Sequence, residues 1–131
     1  MQRNLKRDST MKKIDLDAAQ AFYTRKPFAR SNTTITVEGD TLTMRLHGHV
    51  IARMNSKDNT LALTLADHNT QTTRARLNGL LYMLPLAEPA RYRQQDFAAV
   101  FCYGKDKHDI SAASWQHFTR ASVDAPWIYK D

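Results

Sequence analysis

The sharpest chemical signal in the chain is His47-Gly48-His49, two imidazoles two positions apart, with His68, His108, His117 and a single thiol, Cys102, elsewhere. Alternate residues of a strand share a face, so such a pair could offer two nitrogen ligands to a metal. Two ligands make no site, and the intervening glycine favours a turn that separates the rings. None of the other histidines stands at zinc-ribbon or His-x-x-x-His spacing, so further ligands would have to converge through the tertiary fold alone. The expectation is surface histidines, with no metal and no cofactor.

Catalytic arrangements are equally sparse. There is no phosphate loop, nucleophile elbow, H-E-x-x-H or G-x-G-x-x-G, and the four glycines stand singly. Glu38 with Asp40, and Asp106 with Asp109, are carboxylate pairs, but each falls in a segment read as a turn, where acids are solvated. Cys102 lies within the apolar run 97–103, which predicts a buried thiol in a reducing compartment. The chain reads as a binding protein and not as an enzyme.

Positive charge offers more. The net charge is +6, and the first 13 residues hold Arg3, Lys6, Arg7, Lys12 and Lys13 against Asp8, so most of the excess lies at one end. Such a basic tail can grip phosphates by counterion release, or it can be a solvated end. In the body, Arg74 and Arg76 with Arg91 and Arg93 form the one excess able to make a compact patch. Arg74 shares a helix face with Asn78 at i+4, whereas Arg74 and Arg76 project about 200° apart and flank the leucine stripe on opposite sides. Free N–H groups beside Gln71, Thr72 and Thr73 suit a phosphate, and Tyr92, between two arginines, suits a stacked base. The candidate nucleic-acid-binding residues are therefore Arg74, Arg76, Asn78, Arg91, Tyr92, Arg93, Lys12 and Lys13.

The elements that must carry these residues follow from periodicity. Asp15 or Asp17 can cap a helix over about 15–25 that Pro27 ends. From Thr33 the period changes to two, and Ile35, Val37, Leu42, Met44, Leu46, Val50, Ala52, Met54, Leu61, Leu63 and Leu65 alternate with polar residues through three turns. Residues 33–66 thus read as a four-strand antiparallel meander with one apolar face. Thr70 or Thr72 can cap the helix that covers it, in which Thr73, Leu77, Leu80, Leu81 and Leu84 form one stripe before Pro85. Gly79 faces away from that stripe, where a close approach would mean a second packing layer or a partner, and the plainer reading is a tolerated defect. Residues 92–95 and 97–103 read as strands, 104–109 as a turn, and Ser111 as the cap of a last short helix presenting Trp115 and Phe118 at i and i+3.

The segment L-H-G-H-V-I-A-R (46–53), followed by L-A-L-T-L-A-D-H-N-T-Q-T-T-R-A-R-L-N-G-L-L (61–81) and preceded by F-A-R-S-N-T (28–33), resembles a family of short tailed-bacteriophage and prophage proteins. The resemblance covers residues 28–84 and departs in the C-terminal third. It also departs at Asp67-His68, where relatives would carry a glycine and a tryptophan. It implies a phage or prophage origin, raises the weight of DNA-directed or host-directed binding, and carries no mechanism.

The reading is thus an α+β chain, with residues 1–13 a basic flexible tail and 14–131 one domain: an antiparallel β-meander of about four strands covered by a leucine-rich helix, with a short N-terminal helix and a C-terminal β-hairpin and helix extension. With 42% hydrophobic and 24% charged residues, no apolar run long enough for a bilayer and no secretory leader, it is expected in the cytoplasm, that of the host if phage-encoded. The first expected partner is nucleic acid. The alternative is an inhibitor or modulator of a host protein, met through Trp115, Trp127 and Tyr129 as anchors, and the third reading is a minor virion or assembly component; no membrane partner is expected.

Overall fold

The computed structural model describes residues 11–130. In chain order it holds α1 (Lys13–Tyr23), β1 (Phe28–Arg30), β2 (Thr33–Glu38), β3 (Thr41–Leu46), β4 (His49–Asn55), β5 (Thr60–Thr64), α2 (Gln71–Met83), β6 (Ala90–Gln95), β7 (Ala98–Tyr103), β8 (Asp106–Asp109), β9 (Trp115–Thr119) and β10 (Ile128–Lys130). The mixed α+β architecture matches the reading of the sequence. The number and kind of the later elements do not.

Strands β2 to β5 are the meander that the period-two pattern predicts. Ile35, Met44, Ala52 and Leu63 stand opposite one another, as do Val37, Leu42, Met54 and Leu61, so the apolar side chains fall on one face. The sheet nevertheless has seven strands, not four, in the order β1-β2-β3-β4-β5-β9-β10. The expected C-terminal helix is replaced by β9, which pairs antiparallel with β5. A separation of three puts Trp115 and Phe118 on opposite faces of a strand, Trp115 39% exposed and Phe118 fully buried. The alternation was hidden because one inward position is polar: Gln116 is buried and accepts the Tyr92 hydroxyl at 2.6 Å.

A second sheet, in the order β6-β7-β8, packs its aromatics against the same apolar face. Phe101 meets Phe118 edge-on at 6.0 Å and Tyr129 at 4.9 Å. The turn expected over 104–109 shrinks to Gly104-Lys105, because 106–109 form β8. The apolar run 97–103 is not one buried strand either, since Phe97 lies in the β6–β7 turn and Cys102 is only half-buried.

The leucine helix α2 is capped at Thr70, whose side chain accepts the Thr73 backbone N–H at 3.1 Å. Leu77, Leu80, Leu81 and Leu84 are each at most 1% exposed, worth roughly 1.5–3 kcal/mol per side chain relative to exposure. On its other side α2 meets α1, and Gly79 marks the crossing: a Cβ there would lie 2.6 Å from the Asp15 carbonyl oxygen. Gly79 is therefore a close-packing residue and not a tolerated defect. Helix α1 starts earlier than expected, with Lys12 and not Asp15 or Asp17 at its cap. The Asp15 carboxylate reaches back to accept the Lys12 backbone N–H at 2.7 Å. Met11 is buried, so the fold takes in the end of the segment expected as tail. The rest of that segment, 1–10, lies outside the described residues.

The face of the large sheet turned away from the helices carries Thr36, Thr43, Arg53, Ala62, His117 and Lys130 in one row. No described helix is long and apolar enough to cross a membrane.

Candidate nucleic-acid interface

Helix α2 and strand β6 bring the arginine-rich segments side by side, but three of the expected contact residues turn inward. Arg76 is 6% exposed; its Nη1 donates to Asp15 Oδ1 in a buried ion pair, and its Nε donates to Thr33 Oγ1 at 2.8 Å. Asn78 is also buried. Its Oδ1 accepts the Tyr92 backbone N–H at 2.7 Å, and its Nδ2 donates to the Tyr92 carbonyl at 3.0 Å. Because β6 is the edge of its sheet, its outward backbone groups need a partner, and Asn78 supplies one as a neighbouring strand would. Tyr92 is 1% exposed, and burial, then the nearby Tyr129, push its hydroxyl well above its ordinary value. Arg76, Asn78 and Tyr92 are thus withdrawn as ligand contacts: their work is to hold α1, α2 and β6 together.

Arg74, Arg91 and Arg93 are brought together. They line one cleft of about 280 Å³ with Gln71, Ala75 and Gln94, and no carboxylate is among its lining residues. Arg91 and Arg93 are exposed on the outward side of β6 because the intervening Tyr92 points into the core. Arg93 pairs with Val100 of β7 through the backbone ladder, and its guanidinium is in none of the ion pairs among the described residues. Arg74 is half-buried, and its Nη1 donates to the neutral amide oxygen of Asn69 at 2.6 Å. Burial lowers the Arg74 guanidinium from its ordinary value. No described carboxylate pairs with it, in contrast to Arg76 two positions on.

Lys12 and Lys13 separate. Lys12 borders an adjoining hollow of about 330 Å³ that shares Gln71 and Ala75 with the arginine cleft, so it extends the basic surface across the start of α2. Lys13 instead pairs with Asp17 at 2.9 Å. Sequence reading missed Asn69 and Gln94, whose polar types carry no periodic signal. It also missed Phe97, hidden inside an apolar run. Of the aromatic anchors expected for a host protein, Trp127 is fully buried under the Arg120 guanidinium and Tyr129 is half-buried among aromatics, which leaves Trp115 exposed.

The histidines show how a turn decides chemistry. His47 and Gly48, at φ +50° and +83°, form the whole β3–β4 connection, and His49 already belongs to β4, so the two imidazoles are not alternate residues of one strand. His47, His49 and His68 line a pocket of about 340 Å³, with the His49 and His68 rings 4.6 Å apart. Among the described residues no three histidine, cysteine or acidic side chains are grouped to hold a metal ion.

No curated protein and no solved structure matches the chain. The model of one family, the Kyanoviridae Gp96 protein, matches residues 11–122, which extends the likeness read over 28–84 into α1 on one side and through β9 on the other. With the helices, the meander and the arginine cleft all inside that span, the chain belongs to the Kyanoviridae Gp96 protein family, a family of phage proteins.

Proposed function

We propose that this protein binds nucleic acid, with Arg74, Arg91 and Arg93 holding backbone phosphates in the cleft between α2 and β6. The observation that carries this reading is the state of Arg74: a half-buried cation answered by a neutral amide, beside two further arginines and no lining carboxylate. A partly desolvated charge without a counter-charge is unfavourable, and an incoming phosphate supplies bidentate, charge-assisted hydrogen bonds to it. Gln71 and Gln94 add neutral donors at the rim, and Lys12 extends the positive surface.

Fluorescence anisotropy with labelled 20-nucleotide dT, its RNA equivalent and a 20-base-pair duplex, from low to physiological salt, tests the reading. Arg91→Glu/Arg93→Glu should weaken binding at every salt concentration and make the plot of log affinity against log salt shallower by about one unit per lost phosphate contact. Arg53→Glu, on the opposite face of the large sheet, alters net charge equally per substitution and should have a much smaller effect. Equal weakening by the two kinds of variant would show diffuse attraction and sink the cleft.

A further inference from the structure

Phe97 is 91% exposed, the most exposed large apolar side chain among the described residues. It occupies the two-residue turn between β6 and β7 at φ +67°, next to Asp96 at φ +50°. Turns with both central residues in the left-handed region favour Asn-Gly or Asp-Gly, and a phenylalanine there carries a conformational cost. The turn gains nothing from this residue, and the core gains nothing from its ring.

The tip is tied to the arginine cleft. Arg74 Nη1 donates to Asn69 Oδ1 at 2.6 Å, and Asn69 Nδ2 donates to the Phe97 carbonyl at 3.5 Å. Arg91 and Arg93 lie on β6, the strand that leads into the same turn. An exposed ring on the turn that follows the arginine-bearing strand, linked through Asn69 to Arg74, is suited to a single strand, whose phosphates take the guanidiniums while an unpaired base offers its face to the aromatic. In a duplex both faces of each internal base are already stacked.

We infer that the ligand is single-stranded nucleic acid, with Phe97 stacking on an unpaired base beside phosphates held by Arg74, Arg91 and Arg93. This rests on the nucleic-acid reading above and adds the state of the strand. Because the ring is solvated, Phe97→Ala and Phe97→Leu leave the packing intact, so a binding change reports contact with ligand and not misfolding.

The experiment compares wild type, Phe97→Ala, Phe97→Leu, Phe97→Trp and Arg91→Glu/Arg93→Glu on labelled dT20, rU20 and a 20-base-pair duplex. The expected result is a loss of roughly 5- to 100-fold for Phe97→Ala and Phe97→Leu on dT20, rU20 or both, with duplex affinity unchanged and Phe97→Trp binding at least as well as wild type. Which single strand responds identifies the ligand as DNA or RNA. Wild-type affinity of Phe97→Ala for both single strands, with the arginine variant still weakened, overturns the stacking and leaves the cleft standing. Equal losses on single strand and duplex overturn the preference for unpaired bases. If no probe binds the wild type even at low salt, both readings fall.

Discussion

The guanidinium of Arg76 and the carboxylate of Asp15 form an ion pair nearly closed to solvent, their side chains 7% and 0% exposed, that joins α2 to α1. A buried charge that loses its partner costs far more than the pair contributes, so Arg76→Ala or Asp15→Ala should destabilise the protein by about 3–5 kcal/mol in urea unfolding. The double replacement Asp15→Leu/Arg76→Met should recover most of that loss. About 1 kcal/mol should persist, because Asp15 also accepts the Lys12 backbone N–H.

Gly79 permits the same helix crossing. Alanine favours a helix interior by about 1 kcal/mol over glycine, but its Cβ would lie 2.6 Å from the Asp15 carbonyl oxygen, a backbone atom with little freedom to yield. Overpacking of this kind costs roughly 1–3 kcal/mol. Gly79→Ala should therefore lower the thermal midpoint, and a raised midpoint would show that the helices separate at no cost.

Asn78 holds the edge of β6 to α2 through two hydrogen bonds to the Tyr92 backbone. Asn78→Ala leaves both backbone groups without this partner and should cost about 2–4 kcal/mol. Asn78→Asp keeps the acceptor but sets a buried carboxylate oxygen against the Tyr92 carbonyl, so it should cost at least as much at neutral pH. Since β6 carries Arg91 and Arg93, Asn78→Ala should also weaken dT20 binding with net charge unchanged; full affinity in a folded variant would show that the cleft does not depend on this clamp.

Asp17 gives a pH-dependent test. The Arg30 guanidinium at 2.6 Å, then the Lys13 ammonium at 2.9 Å, hold its carboxyl below the ordinary 3.8 against the opposing effect of burial. A depressed folded-state value means that the stabilisation is present above the unfolded value and is lost as pH falls through the folded one. In a carbon-detected NMR titration Asp17 should titrate below 3.8, and Arg30→Gln should move it upward. No movement would remove Arg30 as the main cause.

What was legible in the chain was whatever a local period could carry. The meander from Thr33 to Thr64 announced itself because its alternate side chains share one buried face, and α2 because its leucines recur at helical spacing before Pro85. The candidate site was half legible. Arg74, Arg91 and Arg93 stood out by type, but nothing local distinguished Arg74 from Arg76, which differ only in which side of α2 meets another helix.

By itself, then, the sequence determined the α+β class, the meander, the leucine helix and the two arginine-bearing segments, because these depend on residues within a few turns or strands of each other. Only the tertiary structure decided that Trp115 to Thr119 would extend the sheet beside β5, that Asp15 would neutralise Arg76 and leave Arg74 without a counter-charge, and that Asn78 would close the edge of β6. Each of those outcomes pairs groups 14 to more than 60 positions apart. A local pattern says nothing about such pairs, because what selects them is the need to satisfy buried polar groups and open strand edges once the chain has closed on itself.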